Sequence, residues 1–265
     1  MSGYIYEIFS SFQGEGASVA GSAYGLRQIF VRLAGCNIAA KELGGTQCVW
    51  CDTKDAQIFD PDHAQIEEGP SNGKFFPIKN PMTPEDVLGH ISRLSTPDLH
   101  SISITGGEPL SQDDFCLDLL ALLKSKGYKT YLESNGARPD VLPRFAKNID
   151  YACIDLKTKD SNAAFDWRLL LELEIESIKQ LLIAGTKVYA KIVVTSKTEL
   201  EDIIIIADLL ANLDVPVIVQ PVSPPNDNIK QPDWETLTLF TEALAERTMG
   251  IVALSYQVHK MGGYL

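Results

Sequence analysis

The chain has 265 residues, 45% of them hydrophobic, and its 35 acidic and 23 basic residues give a formal net charge of −12. This length predicts a single α/β domain, residues 1–265, with the composition of an ordinary globular protein. So negative a charge argues against direct binding to nucleic acid, because surfaces that bind phosphates are basic.

No apolar run is long enough to cross a membrane, and we expect no secretory leader, because the first residues lack a basic segment and an apolar core. Its five cysteines do not form a disulfide framework of the secreted kind. We therefore expect no membrane partner and a reducing, cytoplasmic location.

Apolar, β-branched runs alternate with helical stretches, the pattern of a mostly parallel sheet with outer helices. The predicted strands are residues 4–9, 28–33, 101–105, 129–133, 151–155, 187–194, 215–220 and 251–256. Helices are predicted at residues 113–125, 164–182 and 234–247. Two more helices begin at capping sequences, Thr83 before Pro84 and Thr198 with Glu201. Residues 54–82 are proline-rich without a helical period, which we interpret as a surface insertion or lid.

Polar clusters follow four of the predicted strands, at residues 106–109, 133–136, 155–157 and 220–223. Parallel sheets and barrels place their sites at the carboxyl ends of strands. The four clusters therefore predict one pocket. The Gly-Gly pair in the first cluster permits close approach of the backbone to a ligand.

Three cysteines, Cys36, Cys48 and Cys51, lie close together in the N-terminal region. Three thiolates suit a [4Fe–4S] cluster with one iron left open, since a closed cluster uses four. A structural zinc site, which would need a fourth ligand, and buried free thiols are the alternatives. Cys116 and Cys153 stand in apolar contexts and are expected to pack in the core.

Together, the cysteines and Thr105-Gly106-Gly107-Glu108-Pro109 resemble the radical S-adenosylmethionine (SAM) superfamily. Within it, the chain resembles the 7-carboxy-7-deazaguanine synthase family in segments that span nearly the whole sequence in matching order. These segments are residues 12–16, 30–37, 50–53, 105–109, 133–136, 220–221 and 257–260.

The resemblance implies an incomplete, TIM-like α/β barrel and a homodimer with a [4Fe–4S] cluster, SAM and Mg²⁺ as cofactors. It implies conversion of 6-carboxy-5,6,7,8-tetrahydropterin to 7-carboxy-7-deazaguanine with loss of ammonia, a step of 7-deazapurine (queuosine and archaeosine) synthesis. A flavodoxin or ferredoxin is the electron donor that such an enzyme needs.

The resemblance also implies the residue roles. Cys36, Cys48 and Cys51 would hold the cluster, and Thr53 would bind Mg²⁺. The residues expected to contact SAM are Gly106, Gly107, Glu108, Glu133, Asn135, Asp155, Lys157, Gln220 and Ser223. Those expected to contact the substrate are Phe12, Gln13, Gly14, Arg32, Thr105 and the terminal Leu265. Arg32 suits a carboxylate through a two-pronged contact.

Two features depart from the family pattern. Eleven residues, 37–47, separate the first two cysteines, where a shorter spacer is usual. Asp155-Leu156-Lys157 replaces the usual Ser-Pro-Lys, and this form also occurs in activases of glycyl-radical enzymes. Such an activase, and a non-enzymatic zinc-binding module, are therefore the alternative functions.

Overall fold

The computed structural model describes residues 1–44 and 47–264. The strands in these residues are β1 Ile5–Phe12, β2 Arg27–Leu33, β3 His63–Glu67, β4 Phe75–Lys79, β5 Leu99–Gly106, β6 Thr130–Ser134, β7 Tyr151–Leu156, β8 Lys187–Val194, β9 Val217–Pro221 and β10 Val252–Leu254. The helices are α1 Pro84–Leu94, α2 Asp113–Ser125, α3 Trp167–Ile183, α4 Leu200–Leu210, α5 Trp234–Ala245 and α6 Val258–Gly262.

The strands form one sheet in the order β10-β9-β8-β7-β6-β5-β2-β1-β3-β4. Strands β5 to β10 and β2 all pair in parallel, whereas β1 is antiparallel to β2, and β3 and β4 form an antiparallel hairpin. Within the described residues the outer strands β10 and β4 do not pair with each other. The sheet is therefore an open, incomplete barrel, as predicted.

The two faces of the sheet have different partners, as β7 illustrates. Ala152 and Ile154 belong to the large apolar core shared with the helices, whereas Cys153 belongs to a small cluster with Tyr131 and Tyr189. This alternation follows from the two-residue period of a strand. The Tyr131 hydroxyl donates to that of Tyr189 at 2.9 Å, which satisfies both buried groups. The second face therefore lines the barrel interior.

The segment 54–82 contains two strands that the sequence analysis did not predict, β3 and β4. Their hairpin extends the sheet beyond β1. Glu67, fully buried, accepts backbone hydrogen bonds from Ser10 at 2.8 Å and Gly73 at 2.9 Å. The strands thus depend on a buried carboxylate that bonds to a distant segment, and such a contact has no local sequence pattern.

One of the two predicted helix caps is confirmed. Thr83 forms a capping box with Asp86 at the start of α1. The prediction for Thr198 is wrong, because α4 begins after Glu199, which makes no side-chain cap. The Thr198 hydroxyl instead donates to Asp160 at 3.2 Å and accepts from the backbone N–H of Thr195. In the parts of the chain that are described, no helix is long and apolar enough to span a membrane.

Candidate active site

A cavity of about 240 Å³ opens at the carboxyl ends of the barrel strands. It is lined by every predicted site residue within the described part of the chain. These are Phe12, Gln13, Gly14, Arg32, Cys36, Cys48, Cys51, Thr53, Thr105, Gly106, Gly107, Glu108, Glu133, Asn135, Asp155, Lys157, Gln220 and Ser223. Leu265, predicted to contact the substrate, lies outside the described residues. The strand-end clusters thus converge on one pocket, as the sequence predicted.

The three predicted cluster ligands line this cavity, and Cys153 lies on its strand wall. Cys36 comes three residues after the end of β2, and the Cys51 N–H donates to the Cys48 carbonyl at 3.1 Å in a tight turn. Burial raises the pKa of Cys36 to about 11 and also raises that of Cys48. Among residues 1–44 and 47–264, no group of His, Cys, Asp or Glu is close enough to hold a single metal ion. A four-iron cluster is larger than one ion, so three thiols around a shared cavity fit it.

The long spacer between Cys36 and Cys48 lines the cavity at Ile38 and Ala39 and then leads away from it. Gly44 forms an isolated bridge with Ala164, and the Val49 N–H, just after Cys48, donates to the Ser161 carbonyl at 3.1 Å. These contacts attach both sides of Cys48 to the segment that leads into α3. In its described residues, the insertion is therefore accommodated without moving the cysteines away from the cavity.

The glycine pair after β5 makes the close backbone approach that the sequence predicted, but toward the cysteine loop. A Cβ on Gly106 would lie 2.2 Å from the Leu33 carbonyl oxygen, and one on Gly107 would lie 2.2 Å from that of Gly35. The Glu108 N–H donates to the Gly35 carbonyl at 2.7 Å. Only glycine fits here. The turn therefore joins the end of β5 to the residue before the first cysteine.

Glu108 is 1% exposed and bonds within the protein. Its carboxylate accepts from the Ser134 hydroxyl at 2.8 Å and from the Asn135 N–H at 2.7 Å. Burial raises its pKa, although these hydrogen bonds oppose the shift. The Asn135 amide in turn donates to Asn37 at 2.8 Å. Glu108 thus fastens the ends of β5 and β6, and its contact with SAM remains a prediction.

Two predicted ligand residues on the other side of the cavity pair with carboxylates. The Gln13 amide donates to Glu133 at 2.7 Å, so a predicted substrate residue contacts a predicted SAM residue. The Arg32 Nε donates to Glu7 at 2.7 Å. This contact uses one of the five guanidinium N–H groups and fixes the direction of the side chain within the cavity lining.

Four charged residues form an ion-pair network at the cavity wall, and only two of them, Asp155 and Lys157, are site residues predicted from the sequence. The Lys157 Nζ lies 2.6 Å from Asp155, and the Lys191 Nζ lies 2.5 Å from Glu15 and 3.8 Å from Asp155. Burial opposes ionisation of both carboxyl groups, yet the lysines lower the pKa of Asp155 and of Glu15. The sequence analysis missed Lys191 and Glu15. The signal for Lys191 was its position in the interior of a mostly apolar strand, residues 187–194.

Two buried acceptor atoms in the cavity have no hydrogen-bond partner within the described residues. They are Oδ1 of Asp155 and Oε1 of Gln220. A buried acceptor without a donor is costly, so such atoms indicate where a ligand supplies N–H or O–H groups. Both residues were predicted to contact SAM, whose amino and hydroxyl groups are donors of this kind. The cavity therefore fits the cofactor as well as the cluster.

The C-terminal strap, residues 257–264, closes one side of the cavity. The Val258 N–H donates to the Gly14 carbonyl at 3.0 Å, and a Cβ on Gly14 would lie 2.2 Å from Nδ1 of His259. The Gln257 amide donates to Glu15 at 2.5 Å. Residues 257–260 match the family in sequence, but nothing in the local sequence relates them to residues 14 and 15.

Asp52, beside the predicted magnesium residue Thr53, is fully engaged. The Thr53 hydroxyl donates to its Oδ1 at 3.0 Å, and the Lys260 Nζ lies 2.6 Å from its Oδ2. Desolvation at the cavity mouth opposes ionisation, but Lys260 and the other donors lower the pKa of Asp52. This carboxylate is therefore charged at neutral pH.

The comparison with known proteins agrees with this site. Residues 33–232 match the family model of the Radical SAM superfamily. A solved radical SAM methyltransferase from Sphaerobacter thermophilus superposes with a TM-score of 0.57, covering 88% of this chain and 70% of its own at 14% identity, a likeness of fold. The chain belongs to the radical SAM superfamily.

Two relatives define the family within the superfamily. The chain is 39% identical to the 7-carboxy-7-deazaguanine synthase of Thermococcus kodakarensis, over 96% of both chains. It is 37% identical to that of Methanocaldococcus jannaschii, over 98% of this chain and 100% of the relative. The chain belongs to the 7-carboxy-7-deazaguanine synthase family.

Family membership confirms the predicted enzyme class and its cofactors, the [4Fe–4S] cluster, SAM and Mg²⁺. The function predicted from the sequence is likewise confirmed over its two alternatives, the activase and the zinc-binding module. The residues that carry each role remain predictions.

Proposed function

We propose that the predicted residues of this cavity carry the family reaction, the conversion of 6-carboxy-5,6,7,8-tetrahydropterin to 7-carboxy-7-deazaguanine with release of ammonia. The observation that carries the proposal is the convergence of three thiols, the Gly-Gly turn and the polar strand ends on one cavity. A small bicyclic substrate and a nucleoside cofactor both require such a pocket.

Cys36, Cys48 and Cys51 would hold the cluster and leave one iron open. Bound together there, the cluster and SAM would supply the radical chemistry that the reaction needs. The chain positions the reactants and excludes water. Asp155 and Gln220 would accept hydrogen bonds from SAM through buried oxygens that accept none within the described residues. Gly106 and Gly107 would bring backbone against its methionine end.

The remaining SAM contacts would come from Glu108, Glu133, Asn135, Lys157 and Ser223, all of which line the cavity. Lys157 and Asp155 form a close ion pair, so their joint charge near the cofactor is neutral. The negative charge that Asp155 introduces where the family usually has serine is thus neutralised by Lys157.

The substrate would bind between β1, β2 and β5. Arg32 would take the carboxylate, because its guanidinium keeps further donors beyond the one that Glu7 uses. Phe12 would stack on the pterin, with Gln13, Gly14 and Thr105 as polar and backbone contacts. Leu265 would add a contact from the chain end.

Thr53 would bind Mg²⁺ through its hydroxyl oxygen. The hydroxyl hydrogen is donated to Asp52, which leaves the lone pairs of the oxygen for an ion. Mg²⁺ prefers oxygen ligands and retains waters, so a single protein ligand with substrate oxygens is sufficient.

We further propose one domain, residues 1–265, with residues 54–82 as a surface insertion, and a homodimer. Exposed apolar side chains, Trp234 at the start of α5 and Met249 and Ile251 just before β10, are surface of the kind that a subunit contact covers. A flavodoxin or ferredoxin would supply the electron, and the five free cysteines suit a reducing, cytoplasmic location.

Anaerobic turnover tests the proposal. We expect the reconstituted enzyme, given SAM, a reductant, Mg²⁺ and 6-carboxy-5,6,7,8-tetrahydropterin, to form 7-carboxy-7-deazaguanine, identified by mass, together with ammonia. Arg32→Met should raise KM strongly, with Arg247→Met as control because that arginine pairs with Glu246 outside the cavity. Absence of the deazapurine from the wild-type reaction would reject the proposal and favour an activase.

A further inference from the structure

The contact between the C-terminal strap and Asp52 is the starting point. Lys260 and Gln257, both of the strap, point their nitrogens at the same oxygen, Oδ2 of Asp52, at 2.6 and 3.3 Å. The other oxygen accepts the Thr53 hydroxyl. The strap is thus anchored by a charge pair to the turn that carries the predicted magnesium residue.

The exposure of this pair permits exchange. The side chains of Lys260 and Asp52 are 34% and 44% exposed, whereas those of Lys191 and Glu15 are 12% and 18% exposed. An exposed ion pair contributes little to stability and is readily replaced by another cation. A metal cation can therefore displace the Lys260 ammonium group from Asp52.

We propose that Lys260 occupies a cation position beside Asp52 and that Mg²⁺ bound at Thr53 competes with it. Ion binding would then loosen the C-terminal strap, and Lys260 would set the Mg²⁺ concentration that the enzyme requires. The proposal rests on the magnesium position at Thr53 proposed above.

The competition follows from the chemistry of the turn. A carboxylate adjacent to a bound Mg²⁺ interacts with it directly or through the waters that the ion retains. Asp52 is that carboxylate, because it is bonded to the Thr53 hydroxyl. An ammonium 2.6 Å from the same carboxylate repels the divalent ion. At a few ångströms in a largely solvated site, this repulsion weakens ion binding by about tenfold.

The strap should respond because few contacts anchor it. Among the described residues, its hydrogen bonds to the cavity wall are those of Val258 with Gly14, Gln257 with Glu15 and the shared contacts with Asp52. Loss of the Lys260 bond would leave the first part of the strap in place. The residues after Lys260 would become more mobile.

The test measures ion binding and strap mobility in the cluster-reconstituted enzyme. Titration calorimetry with Mg²⁺, in the presence of SAM and the pterin substrate but without reductant so that no turnover occurs, should show about tenfold tighter binding for Lys260→Met. Lys260→Arg keeps the charge and should bind as wild type does. Lys79→Met removes an exposed lysine that does not line the cavity and should also leave binding unchanged.

Hydrogen exchange of residues 257–264 provides the second readout. Saturating Mg²⁺ should accelerate exchange in the wild type, whereas Lys260→Met should exchange fast with or without the ion. Unchanged or weaker Mg²⁺ binding by Lys260→Met, or no detectable binding by any variant, would overturn the inference.

A Thr53→Val variant shows whether the competition by Lys260 or the proposed magnesium position is wrong. If Thr53→Val weakens Mg²⁺ binding but Lys260→Met does not tighten it, only the competition is wrong. If Thr53→Val has no effect, the magnesium position is wrong and the inference falls with it. The expected binding results without any deazapurine product would reject the proposed reaction alone.

Discussion

Replacing Cys48 with alanine is expected to abolish turnover while leaving the fold intact. Of the four described cysteines that line the cavity, Cys36, Cys48 and Cys51 are the proposed ligands of a cluster with one open iron, whereas Cys153 packs with Tyr131 and Tyr189 on the strand wall. With Cys48 removed, the cluster loses one of its three thiolates. The iron and sulfide content of the anaerobically prepared variant should be well below the four irons and four sulfides per chain of a full cluster.

Cys116→Ala is the matched control for this substitution. Cys116 is fully buried in α2 and lies outside the cavity lining, and its Sγ contacts the Pro109 carbonyl. We expect this variant to lose about 1 kcal/mol of stability, as for a small cavity, and to keep a full cluster and turnover. A Cys48→Ala enzyme with a complete cluster and normal turnover would show that the ligand assignment is wrong.

Replacing Lys191 with methionine is expected to cost about 3–5 kcal/mol in the free energy of unfolding, because it breaks a buried ion pair and leaves charge uncompensated. Lys191 lies between Glu15 and Asp155, at 2.5 and 3.8 Å. Only Lys157 would then neutralise Asp155. Urea unfolding of the cluster-free protein at pH 7, followed by circular dichroism, measures this loss.

The pH dependence of this loss has a definite sign. The lysine network lowers the pKa of Glu15 and Asp155 in the folded protein. Stabilisation from such groups is complete above their unfolded pKa, about 4, and is lost as the pH falls through the lower folded pKa. The difference between wild type and Lys191→Met should therefore be full at pH 7 and shrink below about pH 4.

Lys187→Met, on the same strand, is the control. Lys187 is exposed and lies over the Tyr151 ring, 5.6 Å from its centroid, so its loss should cost less than about 1 kcal/mol. Equal losses for the two variants would mean that the pairs of Lys191 do not stabilise the barrel beyond an ordinary surface lysine.

The sequence predicted the parts of the site that local patterns encode. A polar cluster after an apolar run identifies a strand end, and parallel topology brings strand ends together. For this reason the sequence alone places Glu133, Asp155 and Gln220 in one pocket. The incomplete barrel came from the family resemblance, and the open sheet agrees with it.

The sequence did not predict partnerships between distant segments. Lys191 pairs with Glu15 across 176 positions, and Lys260 with Asp52 across 208. Glu67 anchors the hairpin β3–β4 through a bond to Ser10. Such pairs have no spacing rule, because tertiary structure alone brings them together. The prediction of a helix cap at Thr198 is wrong for the same reason, because its hydroxyl donates to Asp160, a residue distant in the sequence.

The most direct test of the central claim is electron paramagnetic resonance of the anaerobically reduced protein, with and without SAM. Three thiolates and an open iron predict a [4Fe–4S]⁺ signal whose g values shift when SAM binds to that iron. A spectrum unchanged by saturating SAM, or a protein without such a cluster, would contradict the account.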